Sequence, residues 1–246
     1  MEKDQLRIIS LVPSITKMLL DFELTSIEVV GRTKFCIHPE ALVKQIPIIG
    51  GTKNIHPEVI KSLNPDLVIT SKEENVKEQV QEIESIAPIL LSDITNLKTY
   101  YSFLDDLCGY FLPIELKNSI IEKTEETFAP LRANPKKKAT YLIWKKPYMT
   151  VGSDTFISSI LEEIGIENDY KNLTRYPEVE TKNLAEAKNI LLSSEPYPFT
   201  QKHKIELQKE TPSANILLVN GEAFSWYGTH LLEFKEYYQK VYQALA

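Results

Sequence analysis

The sequence predicts an α/β protein of two similar lobes, each with a parallel sheet, joined by a stiff helical segment. Three observations predict it. Short apolar runs alternate with stretches of helical periodicity, the order that builds a parallel sheet covered by helices. The elements of residues 138–246 repeat the order of those in residues 1–95. The stretch between them, 96–137, is helical in pattern and holds a single glycine, Gly109, whereas a flexible linker is rich in Gly and Ser.

The first lobe opens on an apolar run from Ile8 to Val12 that ends in Pro13 and Ser14. Ile15, Met18, Leu19 and Phe22 then recur at helical spacing, with Ser14 expected as the N-cap. Further on, Pro57 opens a short helix, Asn64-Pro65 ends it, and Leu67-Val68-Ile69 form a buried strand. Val76, Val80 and Ile83 mark the next amphipathic helix, which leads into another strand. In the connecting segment Leu97, Tyr101, Leu104 and Leu107 share one helix face; Pro113 interrupts, and Ile120, Ile121, Thr124 and Phe128 continue. The second lobe begins with the strand of "KATYLIWKKP" and a helix carrying Phe156, Ile157, Ile160, Leu161 and Ile164. "NLAEAKNILLSSEP" matches "VIKSLNPDLVITSKEE" as a short helix and a strand ending in serine and glutamate, and a closing helix covers residues 229–243.

Composition narrows the function. The chain has 246 residues, 43% hydrophobic and 25% charged, with a net charge of -6. Its longest basic run is Lys136-Lys137-Lys138, so it has no footprint for a phosphate backbone and nucleic acid is not an expected partner. Cys36 and Cys108 fit neither a disulfide framework nor a CxxC pair. No stretch approaches the roughly 18 apolar residues of a membrane span. The start "MEKDQLRIIS" is acidic where a signal peptide is basic. The expected location is therefore periplasmic or cell-surface if a leader has been removed, and cytoplasmic if Met1 is the native start. The chain is expected to be a monomer.

Ligands of open parallel sheets bind off the carboxyl ends of the strands, here the loops at Pro13, 32–38, 49–54, 71–75, 144–148, 193–199 and 220–228. Cys36 and His38, two apart beside Lys34, point the same way on an extended segment. They are either metal ligands completed by Glu195, Glu222 or His230, or direct ligand contacts, or a buried cysteine beside a loop histidine. Trp144, and Trp226 with its neighbour Tyr227, each follow a strand among turn-forming residues, a setting for a cleft wall. Arg175 in "LTRYP" is an anion clamp or a surface cation stacked on Tyr176. Gly50 and Gly51 mark a tight turn and do not form a GxGxxG motif.

Taken in order, "RIISLVPSITKML", "VVGRTKFCIHP", "IPIIGGTKNIHPEVIKSLNPDLVIT", "YMTVGSDTFISSILEEIG" and "RYPEV" resemble the helical-backbone (class III) substrate-binding proteins of ABC importers, most closely the cobalamin and iron-siderophore branch. That resemblance implies two Rossmann-like lobes joined by a long rigid helix. It implies a shallow inter-lobe cleft for a large metal-chelate (a cobalamin or other corrinoid, haem or a ferric siderophore), bound without covalent chemistry, so no enzyme and no intrinsic cofactor. The ligand is then expected between Lys34, Cys36 and His38 on one lobe and Trp144, Arg175, Glu195, Trp226 and Tyr227 on the other. In this family a glutamate on each lobe docks on the ABC permease; Glu58 matches the first-lobe position, and the stretch 197–206 corresponds to the second. The alternative is a cytoplasmic corrinoid- or metal-handling enzyme or carrier on the same fold, using Cys36 and His38.

Overall fold

The computed structural model describes residues 5–246; the acidic start read for an export signal lies largely outside them. The described chain divides into two compact units. Unit 1 comprises the residues up to Ile94 together with 98–120 and 226–230; unit 2 comprises 95–97, 121–225 and 231–246.

In unit 1, β1 (Leu6–Ser10) leads into α1 (Pro13–Asp21), and β2 (Ile27–Arg32) into a single helical turn, α2 (Glu40–Val43). A two-residue ribbon of β3 (Gly50–Gly51) on β4 (Asn54–Ile55) follows, then α3 (Pro57–Ser62), β5 (Leu67–Ser71), α4 (Lys77–Glu84) and β6 (Ile89–Ser92). The four long strands form one parallel sheet in the order β2-β1-β5-β6. Every residue of β5 is buried, as a strand covered on both faces requires. Ile9, Leu11, Val30, Ile49, Ile60, Val68 and Ile83 make the core on one side. The N-cap of α1 is Val12, not the expected Ser14, which is buried inside the first turn. Pro13 starts the helix because its ring fixes a helical φ and its missing N–H is not needed there.

The connecting segment is α5 (Leu97–Cys108) followed by the 19-residue α6 (Ile114–Arg132). They part at Gly109 to Pro113, where proline removes a backbone donor. Residues up to Ile120 belong to unit 1 and those from Ile121 to unit 2, so the division falls inside α6.

Unit 2 holds β7 (Lys137–Leu142), β8 (Tyr148–Met149), α7 (Phe156–Glu163), β9 (Ile166–Asn168), β10 (Glu178–Val179), α8 (Thr181–Leu184) and β11 (Asn189–Ser193). It continues through α9 (Gln201–Glu210), β12 (Asn215–Val219), α10 (Glu222–Ser225), a 3-10 turn at Thr229–Phe234 and α11 (Lys235–Ala244). Its sheet is parallel in the order β12-β11-β7-β9. Matching β7 to β1, β9 to β2, β11 to β5 and β12 to β6 gives the same strand order as unit 1, so the sequence repeat is a topological repeat. A small antiparallel ribbon, β8 on β10, stands beside this sheet. Thr155 caps α7 by accepting from the Ser158 N–H.

Candidate functional site

In unit 1 the loop after β2 is built around a buried guanidinium. Arg32 donates to the Val43 carbonyl at 2.6 Å, and to those of Thr33 and Cys36 at 3.2 and 3.1 Å. These bonds close the loop, and within it the Cys36 N–H donates to the Thr33 carbonyl at 3.1 Å, a turn that leaves Lys34 and Phe35 outside. Cys36 points in and is fully buried, its Sγ 3.1 Å from Thr16 Oγ1 and 3.2 Å from Thr33 Oγ1. Phe35 and Ile37 point out, each 49% exposed. Exposed Lys34 places its ammonium 5.1 Å from the Phe35 ring, and Gly51 lies close to both side chains, where an added Cβ would touch them at 3.4 Å.

Burial pushes the Cys36 thiol up, only partly offset by the hydrogen bonds of Thr16 and Thr33, so it stays protonated at neutral pH and is a poor nucleophile or metal ligand. Among the described residues no three His, Cys, Asp or Glu side chains are grouped to hold a metal ion. The reading of Cys36 and His38 as metal ligands is therefore corrected. The pair lies on one loop, but the turn at Lys34-Phe35 directs the thiol into the core, where Thr16 and Thr33 receive it.

His38 is half-buried, and its ring meets Trp226 edge-on at 5.6 Å and stacks on His230 at 6.0 Å. Trp226 and His230 are themselves 5.0 Å apart. This corrects the placement of Trp226 and Tyr227 as exposed loop residues of the second lobe: residues 226–230 pack within unit 1, with Trp226 8% and Tyr227 6% exposed. Burial and the Glu74 carboxylate hold the Tyr227 phenol well above its ordinary range, and hydrogen bonding with Ser92, Ser14 and Ser71 draws it part of the way back. Gly228, at φ 93°, lets the chain turn where an added Cβ would press on Met18 at 3.1 Å. Thr229 donates to Asp21, which also accepts from Lys17 at 2.6 Å. Glu58 is exposed in the first turn of α3.

Unit 2 presents its own set at the carboxyl ends of its strands. Trp144 is 40% exposed and meets Tyr197 edge-on at 5.7 Å; Tyr197 in turn packs on Phe199 at 4.8 Å. Lys145 pairs with Glu206, which holds the lysine up and the carboxylate down in pKa. Glu195 is half-buried, its Oε1 accepting from Ser225 Oγ at 2.5 Å, and fits only because Gly221 has no Cβ to meet its Cγ. Arg175 is exposed, with its guanidinium carbon 5.4 Å from the Tyr176 ring. Of the expected site residues, the structure brings His38 and Trp226 into contact; Lys34, Cys36 and Tyr227 lie in the same unit 1, and Trp144, Arg175 and Glu195 lie in unit 2, each against other partners. Phe35, Ile37 and Tyr197 were missed as candidates. The signal for the first two was two large apolar side chains in a strand-end loop.

No protein-family model matches the chain. Solved structures of the same fold do. The periplasmic vitamin B12 binding protein BtuF of Vibrio cholerae is 17% identical, with a TM-score of 0.78 over 98% of each chain. A periplasmic heme binding protein from Pseudomonas aeruginosa is 17% identical, with a TM-score of 0.78 over 98% of this chain and 94% of its own. The periplasmic catecholate-siderophore binding protein VctP from Vibrio cholerae is 17% identical, with a TM-score of 0.73 over 99% of this chain and 94% of its own. The two-unit α/β fold of this chain is therefore the fold of these binding proteins from end to end.

Proposed function

With that shared fold as premise, we propose that this protein binds a large metal-chelate (a corrinoid, haem or a ferric siderophore) as the solute-binding component of an ABC import system. The observation that carries the reading is that proteins for B12, heme and a catecholate siderophore all match this chain over nearly its full length. The residues at the carboxyl strand ends suit such a ligand. Unit 1 offers exposed Phe35 and Ile37 beside the Lys34 ammonium, and unit 2 offers Trp144 on Tyr197 together with Arg175. Aromatic and aliphatic surface contacts a rigid macrocycle, and the cations meet acidic groups on its edge. Binding needs no covalent step, and the buried, protonated Cys36 supplies no nucleophile for one. The partner is an ABC permease that Glu58 meets, and the place of action is the periplasm or the cell surface.

The test is direct. Protein incubated with cyanocobalamin, haem or a ferric tris-catecholate and then desalted retains one of them, seen as a stoichiometric absorbance spectrum. Loss of all three on desalting refutes the reading.

A further inference from the structure

Among the described residues, four other than glycine have a left-handed backbone: Glu23, Asn64, Lys146 and Arg175. Glu23 and Asn64 follow the ends of α1 and α3, where such a residue ordinarily terminates a helix. Lys146 sits in the tight turn between β7 and β8, bridged by the Met149 N–H on the Trp144 carbonyl. Arg175, at φ 58°, ends no helix and closes no hairpin. A left-handed L-residue is strained and persists only where its surroundings over-determine it.

Those surroundings are the 152–154 turn, at the N-terminus of α7. The Arg175 N–H donates to Asp154 Oδ1 at 2.5 Å, and its carbonyl accepts from the Gly152 N–H at 2.7 Å. The Ser153 N–H donates to the Leu173 carbonyl at 2.9 Å. The two backbones run so close that a Cβ on Gly152 would stand 2.5 Å from the Leu173 carbonyl and 2.6 Å from Thr174. Both peptide groups of Arg175 are thus held while its side chain is exposed and lies over Tyr176.

We infer that Asp154 is a positioning residue: by holding the left-handed backbone of Arg175, it presents the guanidinium, backed by Tyr176, to an acidic group of the ligand. The inference rests on the proposed function and narrows it to chelates that carry carboxylates or a net negative charge. A planar cation fixed before the ligand arrives loses little freedom on binding, and it pairs with a carboxylate through two parallel hydrogen bonds. Gly152 has a steric part in this, since no other residue lets the two loops meet.

The experiment compares haem and a ferric tris-catecholate, both anionic, with cyanocobalamin, which has no net charge, on the full-length chain and four variants. The expected result is that the wild type holds an anionic chelate more tightly than cyanocobalamin. Arg175→Ala and Asp154→Ala should each weaken that chelate about tenfold or more and leave residual cyanocobalamin binding unchanged. Asp154→Asn, which keeps an oxygen acceptor for the Arg175 N–H, retains most of the affinity, and Arg175→Lys falls between. Added salt weakens the wild type more than Arg175→Ala, which keeps only the Lys34 cation. Melting temperatures run alongside separate a folding defect from lost recognition. The inference is overturned if cyanocobalamin is the tightest ligand, if Arg175→Ala lowers all affinities equally or none, or if Asp154→Asn is as damaging as Asp154→Ala. Retention of no chelate by the wild type instead overturns the proposed function, and the inference with it.

Discussion

The two tryptophans invite comparison, because their sequence settings are alike and their structural settings are not. Each follows the end of a strand among turn-forming residues. Trp144 stands 40% exposed against the edge of Tyr197, in a loop of unit 2. Trp226 is 8% exposed, packed against the rings of His38 and His230 in unit 1. An indole with an open face can meet a ligand; an indole wrapped by its own chain contributes stability. Under the proposed function Trp144 is the tryptophan able to meet the ligand and Trp226 the one that packs, although in the sequence both have the same cleft-wall setting.

The largest effect that would break this comparison is on folding. Trp226→Ala should cost about 3 kcal/mol or more, lowering the melting temperature by roughly 6–12 °C, because truncation leaves a cavity among His38, His230 and the unit 1 core. Thermal unfolding followed by circular dichroism measures it, and a melting temperature within a degree of wild type would return Trp226 to the surface. Trp144→Ala sharpens the contrast from the other side. Its stability should change by less than about 1 kcal/mol, while affinity for the retained chelate falls by about 2 kcal/mol, roughly 30-fold. A titration showing unchanged affinity removes Trp144 from the site.

Cys36 carries the same logic at smaller scale. In the folded protein a disulfide-exchange reagent should react with Cys108 and leave Cys36 untouched until denaturant is added, and Cys36→Ser should cost about 1–2 kcal/mol with no change in chelate spectrum. Rapid modification of both thiols in native buffer would contradict the burial. The smallest effect belongs to the half-buried pair at the edge of the Trp144 loop: Lys145→Ala, which breaks the bridge to Glu206, should move stability by about 1 kcal/mol or less, read from urea midpoints.

Much of this fold is legible in the chain itself. Strands and helices announce themselves by spacing within a few residues, so Ile8 to Val12, Leu67 to Ile69 and the face of Ile157, Ile160 and Leu161 are readable, as is the break at Pro113. The repeat is legible because the same local signals recur in the same order. The N-cap at Val12 is not, since Pro13 and Ser14 at the first two helical positions resemble a cap placed further along the chain. At the site, Arg175 is visible as a cation beside an aromatic ring, but nothing in "LTRYP" announces that Asp154, 21 residues earlier, holds its backbone.

What the sequence determined by itself was the class of the fold, the order of its elements, the repeat and the short roster of loop residues able to meet a ligand, because each depends on neighbours along the chain. Tertiary structure alone decided which way those residues face. The stretch "TKFCIHP" offers Phe35, Cys36 and Ile37 as loop residues but does not say which of them is inside; the choice was made by the turn at Lys34-Phe35, by Arg32 closing the loop and by Thr16 and Thr33 receiving the thiol. Likewise, residues 226–230 follow a strand of unit 2 yet pack in unit 1, since burial of an indole and a phenol is favourable wherever a matching apolar surface lies, irrespective of distance along the chain.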